Sequence, residues 1–480
     1  MSGASSSCIL AVYDLGKTNA KLFVFGPDLK ILYEQRCKPI WLEQDSYRVL
    51  DAETLWNWML AGLRRALQQF PVEGIMVTTH GCTMAMLGPA TLAWPILDYE
   101  SEVPAEVESA FAKIVPPFDE TLSPELPLGI NYGKQIFWLE TTQQEAFAAA
   151  QFIVPYPQYW VWKFGAPPLS EMTSIGCHTH LWSVHEGRFS TLVRSRHWDA
   201  RFPVFARAGE IVGRFDCEGH ELNIHNGVHD SNASLYLGRH VSKDPRTSFV
   251  STGTWVIVCN PDCDPAALQA ERDMLGNVDT SMATVPTARF MGGREFDLLT
   301  QGEYEAVTLA DIEAMLLQGR FAIPSFAPGG PFQGREGRLE GAPPQSNRER
   351  SAIASLYLAC MTSAVLDLLQ SRGPVLIDGG LLANAAYIGL LAGLRPAQSI
   401  MLNPMAQGTA TGAAMLAYDT LDIHPPVSPG QPVEPWSLPG LSAYFLHWKS
   451  LSEANREVPF IPSHGPAIRS SGSAAPGSGT

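Results

Sequence analysis

The chain has 480 residues, 45% apolar and 17% charged, and its formal charge of −15 comes without an acidic run or a basic patch. One hydrophobic core rarely serves so long a chain, so two domains of roughly 200 residues each with a cleft between them are expected, and the charge pattern speaks against a nucleic-acid partner. The opening MSGASSS lacks a positive n-region and residues 8–13 are too few for a signal core or a membrane span, so a soluble, cytoplasmic chain with no membrane partner is expected.

The first elements are strand, turn, strand, turn, strand: CILAVYDLG, AKLFVFG and ILYEQRCK, with Gly26, Pro27 and Asp28 in the second turn, which is an antiparallel meander. Asp51 then suits an N-cap for a helix whose Leu55, Met59, Leu63, Leu67 and Phe70 share one face and which stops at Pro71. GIMVTTHG follows as a short buried strand returning beside the meander. The same order recurs later. SFVSTGTWVIVCN gives strand, small-residue turn and strand, ARFMGG a further strand, residues 351–369 a helix with one apolar side, and PVLIDGG a buried strand with glycines at its carboxyl end. The chain therefore reads as a divergent duplication of one α/β unit, with residues 1–244 and 245–455 as the domains and a boundary in the polar stretch Ser242-Lys243-Asp244-Pro245. Residues 456–480, small, polar and Pro-rich, read as a disordered tail.

Eight cysteines scattered through the chain without a secretory signal imply reduced thiols. Neither Cys259 with Cys263 nor His178 with His180 has a partner pair at zinc-site spacing, so no structural metal is expected.

The chemistry-bearing residues sit on turns. After the first strand, Gly16 permits a tight bend whose following N–H groups can face a phosphate, with Lys17, Thr18, Asn19 and Lys21 as side-chain donors. Asp14, at the strand end, suits a magnesium ion held through its waters. Ser251, Thr252, Gly253 and Thr254 form a matching turn at the same point of the second unit, and two such turns facing each other would grip the β- and γ-phosphates from both sides. A third turn at Asp378, Gly379, Gly380 and Leu381 would let an adenine or ribose approach the backbone. Each has a purely structural reading as well: a solvated β-turn for the first, close helix packing for Gly408 and Gly412, a helix N-cap for Asp230 and a hydrogen-bonded core histidine for His80.

Taken together, residues 14–21 (DLGKTNAK), 229–233 (HDSNA), 251–254 (STGT) and 378–384 (DGGLLAN) resemble, in order, the motifs of the FGGY carbohydrate kinases. The resemblance covers residues 8–418 and implies the actin-like, ribonuclease-H-type duplicated α/β fold with a nucleotide and sugar cleft between its halves. DLGKTNAK and GINYGKQIFWLE look most like the rhamnulokinase and fuculokinase side of the family. It implies MgATP as phosphoryl donor and Asp230 as the base that takes the proton of the attacking sugar hydroxyl. Nucleotide contacts are expected from Gly16, Lys17, Thr18, Asn19, Lys21, the 251–254 turn, Gly379, Gly380 and Asn384. Sugar contacts are expected from His80, Gly81, Asp98, Gln135 and Asp230, with Glu171 a further polar candidate.

Two departures stand out. Rhamnulokinases tend to carry Trp-Gly and xylulokinases Met-His-Gly where this chain has Thr79-His80-Gly81, and the motif behind the family name is replaced by Met291-Gly292-Gly293-Arg294. The expected function is an ATP-dependent kinase acting on a small ketose or deoxyketose: L-rhamnulose- or L-fuculose-like, a pentulose or a tetrulose. The alternatives are an actin- or Hsp70-like ATPase that needs no sugar and a silent sugar-binding regulator. A homodimer is the default assembly.

Overall fold

The computed structural model describes residues 8–44 and 47–454; the expected tail lies outside them. Ile9–Leu15, Ala20–Phe25 and Ile31–Cys37 form the expected antiparallel meander. Gly26 closes its second turn by donating to Lys30 O and accepting from Leu29 N. The Asp51 carboxylate caps Ala52–Leu67 by accepting from Thr54 N at 3.0 Å. That helix ends earlier than its apolar spacing suggests, because the Gln69 and Phe70 amides both turn back to Ala66 O. Val72–Thr79 then lies parallel to Ile9–Leu15, and His220–His225 lies parallel to Val72–Thr79 on its far side.

The second sheet repeats this plan. Ser248–Thr252 pairs antiparallel with Val256–Cys259, which pairs antiparallel with Thr284–Phe290, while Val375–Gly379 and Ile400–Leu402 add in parallel on the other side. In both seven-stranded sheets a first strand thus stands between an antiparallel meander and parallel strands reached by helical crossovers, the duplication expected from the sequence.

The helix expected over 351–369 spans Asn347–Leu368. Ser346 starts it by accepting from Glu349 N, a Ser-x-x-Glu signature upstream of the apolar run. Residues 351–366 are buried on every side rather than along one stripe. The helix is long and apolar enough to cross a membrane, yet 89% of its most apolar window is buried inside the second unit. Residues 84–205 hold an additional body on the first unit, built on a three-stranded sheet and a core that includes Tyr132, Ile136, Trp138 and Trp198.

Two helices join the halves. Asp230–Val241 packs against Gly408–Asp419, and a shared core takes Leu10 and Phe23 from the first sheet, Ala233 and Leu237 from one helix, Ala410 and Ala413 from the other and Leu376 from the second sheet. A Cβ at Gly412 would lie 1.9 Å from Ala233 O, so the close packing suggested by Gly412 and its neighbouring alanines is what occurs. Gly412→Val should therefore lower stability by roughly 1–3 kcal/mol through overpacking, visible as a lower urea midpoint; an unchanged midpoint would show that the helices can separate freely.

Candidate active site

Val228–His229 pairs with Val72–Thr79 at Thr78 and Thr79, which places the next residue, Asp230, at the carboxyl end of the first sheet. The helix begins at Asp230 itself with His229 as its N-cap, so Asp230 is not the cap. Its Oδ1 accepts from Ser231 N at 2.6 Å and lies 3.2 Å from His229 Nε2, and the side chain is 33% exposed to the cleft. Burial raises the Asp230 carboxyl above its ordinary value, with the hydrogen bonds from Ser231 opposing the rise.

His80 Nδ1 lies 2.8 Å from Gly81 O, an atom that only accepts, so Nδ1 carries the proton. Burial holds the ring uncharged, and its buried Nε2 is left as an acceptor with no partner among the described residues. Burial likewise brings His229 down to about 4. Gly81 makes room for that ring, since a Cβ there would lie 2.6 Å from His229 Nε2. Asp98 accepts from Lys17 Nζ at 2.6 Å and faces Arg48 at 3.2 Å.

Lys17 departs from its expected place. Its ammonium is held between Asp98 and Glu100 and 4.6 Å from the Tyr99 ring, beside a residue expected to meet the sugar rather than free for a phosphate. Gln135 does not line the cleft either: it is fully buried, and its amide nitrogen bridges the carbonyls of Cys82 and Gly129. Glu171 is internal, pushed up to about 7 by burial while it caps Met172–Ile175. It acts on the site through Thr173, whose hydroxyl donates to Glu171 and accepts from His229 N.

The phosphate turns also differ in detail. The Gly16 and Gly253 amides close their own turns on Asn19 O and Trp255 O, so neither is free for a phosphate. Thr252 is buried, donating to Asp378 O at 2.7 Å and accepting from Leu381 N at 3.1 Å; it holds the third turn in place. Asn384 is also buried, capping Ala385–Leu394 and bonded to Ser355. The side chains of Thr18, Asn19, Ser251 and Thr254 remain exposed. Gly379, at φ +103°, would put a Cβ 2.0 Å from Thr252 O, whereas Cβ atoms at Gly253 and Gly380 would meet nothing closer than 3.8 and 3.9 Å. The backbone at those two glycines is thus open to a flat or anionic group.

Asp14 pairs with Lys21 at 3.2 Å, and Lys21 reaches Gln407 of the second half at 3.4 Å. Burial raises the Asp14 carboxyl, opposed by Lys21 and reinforced by the Asp230 charge. A strand-end carboxylate of this kind suits magnesium bound through its waters. Among the described residues no three His, Cys, Asp or Glu side chains gather to bind a metal ion.

His229 is a site residue that the sequence reading does not single out. Its adjacency to Asp230 is the one signal the sequence offers for it.

A model of the carbohydrate kinase FGGY C-terminal domain matches residues 244–425. A carbohydrate kinase from Novosphingobium aromaticivorans is 33% identical over 94% of this chain and 99% of its own, with a TM-score of 0.84. The ligand-bound xylulose kinase from Lactobacillus acidophilus (14% identity, 93% and 97% covered, TM-score 0.76) and Plasmodium falciparum glycerol kinase with ADP (13%, 94% and 99%, 0.75) share the fold. No curated protein matches the chain.

Replacing Thr252 by Val leaves the Leu381 amide without its acceptor and should cost about 1–3 kcal/mol of stability. Chemical denaturation checks this, and an unchanged midpoint would show that the third turn does not depend on Thr252.

Proposed function

As a member of the FGGY carbohydrate kinase family, with its two-domain actin-like fold, this chain is a sugar phosphotransferase, and we propose that it moves the γ-phosphoryl group of MgATP onto a hydroxyl of a small ketose with Asp230 as the base. The observation that carries the reading is the Asp230 carboxylate: cleft-facing, flanked by two uncharged histidines and placed at the start of the helix that joins the halves. Residues 1–244 would form the sugar-binding domain and 245–455 the adenosine-binding domain, in a cytoplasmic enzyme.

In the reaction Asp230 accepts the hydroxyl proton as the sugar oxygen bonds to the γ-phosphorus and the bond to the β-phosphate oxygen breaks, releasing ADP. His80 Nε2 accepts from a second sugar hydroxyl, and Asp98 with Lys17 binds further ones. Thr18, Asn19, Lys21, Ser251 and Thr254 face the phosphates, while Gly379 and Gly380 border the nucleoside. Asp14 would hold magnesium through its waters, and the ion supplies neutralisation of phosphate charge. The substrate set is L-rhamnulose- and L-fuculose-like ketoses, pentuloses and tetruloses.

Asp230→Asn should lower kcat by about 10²-fold or more with little change in KM, measured on the best substrate from a screen of L-rhamnulose, L-fuculose, xylulose, ribulose and erythrulose. Nearly full activity would remove Asp230 from the mechanism, and no stimulation of ATP turnover by any sugar would favour an ATPase. A second outcome concerns pH. The ionised carboxylate is the active form and burial raises its pKa, so kcat/KM should fall on the acid side with a midpoint above the ordinary value of about 3.9. A midpoint at or below that value would contradict the assignment.

A further inference from the structure

The short strand that delivers Asp230 is held by a buried carboxylate to which the sugar and phosphate contacts give no part. Val228–His229 has one sheet neighbour, Val72–Thr79. The His229 amide is taken by a side chain instead: it donates to Thr173 Oγ1 at 3.1 Å. Thr173 is fully buried, and its hydroxyl donates in turn to Glu171 Oε2 at 2.5 Å. Glu171 also accepts from Thr173 N at 3.0 Å on Oε1 and from Ser174 N at 3.3 Å on Oε2, so donors meet both of its oxygens.

The segment carrying this pair is braced at both ends. Ser170, just before it, donates from its amide to Val204 O at 2.9 Å and accepts from Ala206 N at 3.0 Å. Gly176, just after it, lies against the second unit, where a Cβ would fall 2.5 Å from the Val278 side chain. At the other end of the chain of contacts, Asp230 Oδ1 accepts from the Ser231 amide and hydroxyl at 2.6 and 3.2 Å, while Oδ2 makes no hydrogen bond among the described residues. That free oxygen points wherever the backbone of His229 and Asp230 directs it.

We propose that Glu171 and Thr173 are positioning residues for phosphoryl transfer: through the His229 amide they fix the backbone from which Asp230 reaches the attacking sugar hydroxyl. The inference rests on the kinase reading above. A threonine hydroxyl has one proton and two lone pairs. With the proton committed to Glu171, the lone pairs are left for His229 N, so the hydroxyl is oriented before any ligand arrives. A serine or asparagine could cap Met172–Ile175 without burying a carboxylate. What Glu171 adds is a second acceptor oxygen, and the Thr173 proton uses it. Displacing a reacting group by about 1 Å can lower a rate on the order of 10²-fold, so a contact that touches no substrate atom can govern kcat.

The test measures kcat per ADP-binding site, counted by titration, with KM for the best ketose and for MgATP, in Thr173→Val, Thr173→Ser and Glu171→Gln. Counting sites removes any unfolded fraction from kcat. Thr173→Val and Glu171→Gln are then repeated in the Asp230→Asn background. In the native background kcat should fall about 10-fold or more in Thr173→Val, and likewise in Glu171→Gln, whose amide must turn a donor toward one of the donors that Glu171 accepts. Both KM values should move by no more than about twofold. Thr173→Ser keeps the hydroxyl and should hold kcat within about threefold of wild type. In the Asp230→Asn background the same changes should alter kcat by less than about twofold, because the base they aim is gone. Should Thr173→Val yield no ADP-binding protein, Glu171→Gln decides by the same two comparisons. An unchanged kcat, an equal fall with and without Asp230, or a serine variant as slow as the valine one overturns the proposal while leaving the kinase reading intact. Absence of any sugar-dependent turnover in wild type overturns the kinase reading and this positioning role with it.

Discussion

One helix has to satisfy both halves of the molecule at once. Asp230–Val241 follows directly from a strand of the first sheet, yet its Gly238 lies so near the second sheet that a Cβ there would meet the Phe249 ring at 2.6 Å, and its Ala233 backbone lies against Gly412. Apolar side chains from both sheets and both joining helices close around it. Any change in the angle between the halves must be taken up at this contact. Because Asp230 is the first residue of the helix, the same contact sets where the carboxylate points.

The electrostatics of the cleft follow from what is buried around that carboxylate. His80, His178 and His229 are all pushed toward their neutral forms by burial, Lys17 and Arg48 share the Asp98 carboxylate, and Arg289 faces Asp273. Among the described residues Asp230 has no cation paired to it at hydrogen-bond distance; its near neighbours are the Ser231 amide and a neutral imidazole. A carboxylate raised by desolvation is a better proton acceptor than one held down by a salt bridge, and it stays ionised at neutral pH while the rise is moderate. Pairing it with a lysine would have spent that basicity.

Much of this architecture was legible because it is written locally. Glycine and proline punctuate the meander, Asp51 announces a helix start, and small residues at 251–254 and 378–380 mark turns whose position repeats between the halves. The residues that misled were those whose partner is remote. Lys17 meets Asp98 and Glu100 across the additional body, Gln135 is drawn inward by the carbonyls of Cys82 and Gly129, and Thr252 is consumed by a turn far along the chain. Asn384 looked like a ligand contact and is a helix cap, since a cap and a contact use the same side-chain atoms.

The fate of the turn amides bears on how such a site can hold phosphate. With Gly16 and Gly253 donating to their own turns, the bends are rigid before any ligand arrives, and the exposed hydroxyls and amide of Thr18, Asn19, Ser251 and Thr254 are presented from fixed backbones. Pre-organised donors of this kind need no reordering as charge moves from the γ-phosphate toward the β-phosphate, which is the condition under which electrostatic stabilisation favours the transition state over the bound reactants. The turns belong to different halves, so under the proposed reaction they would act on one phosphate chain only when the shared helix holds the halves together. Binding energy from the sugar can be used to reach that closed state, which ties phosphoryl transfer to the presence of an acceptor instead of water.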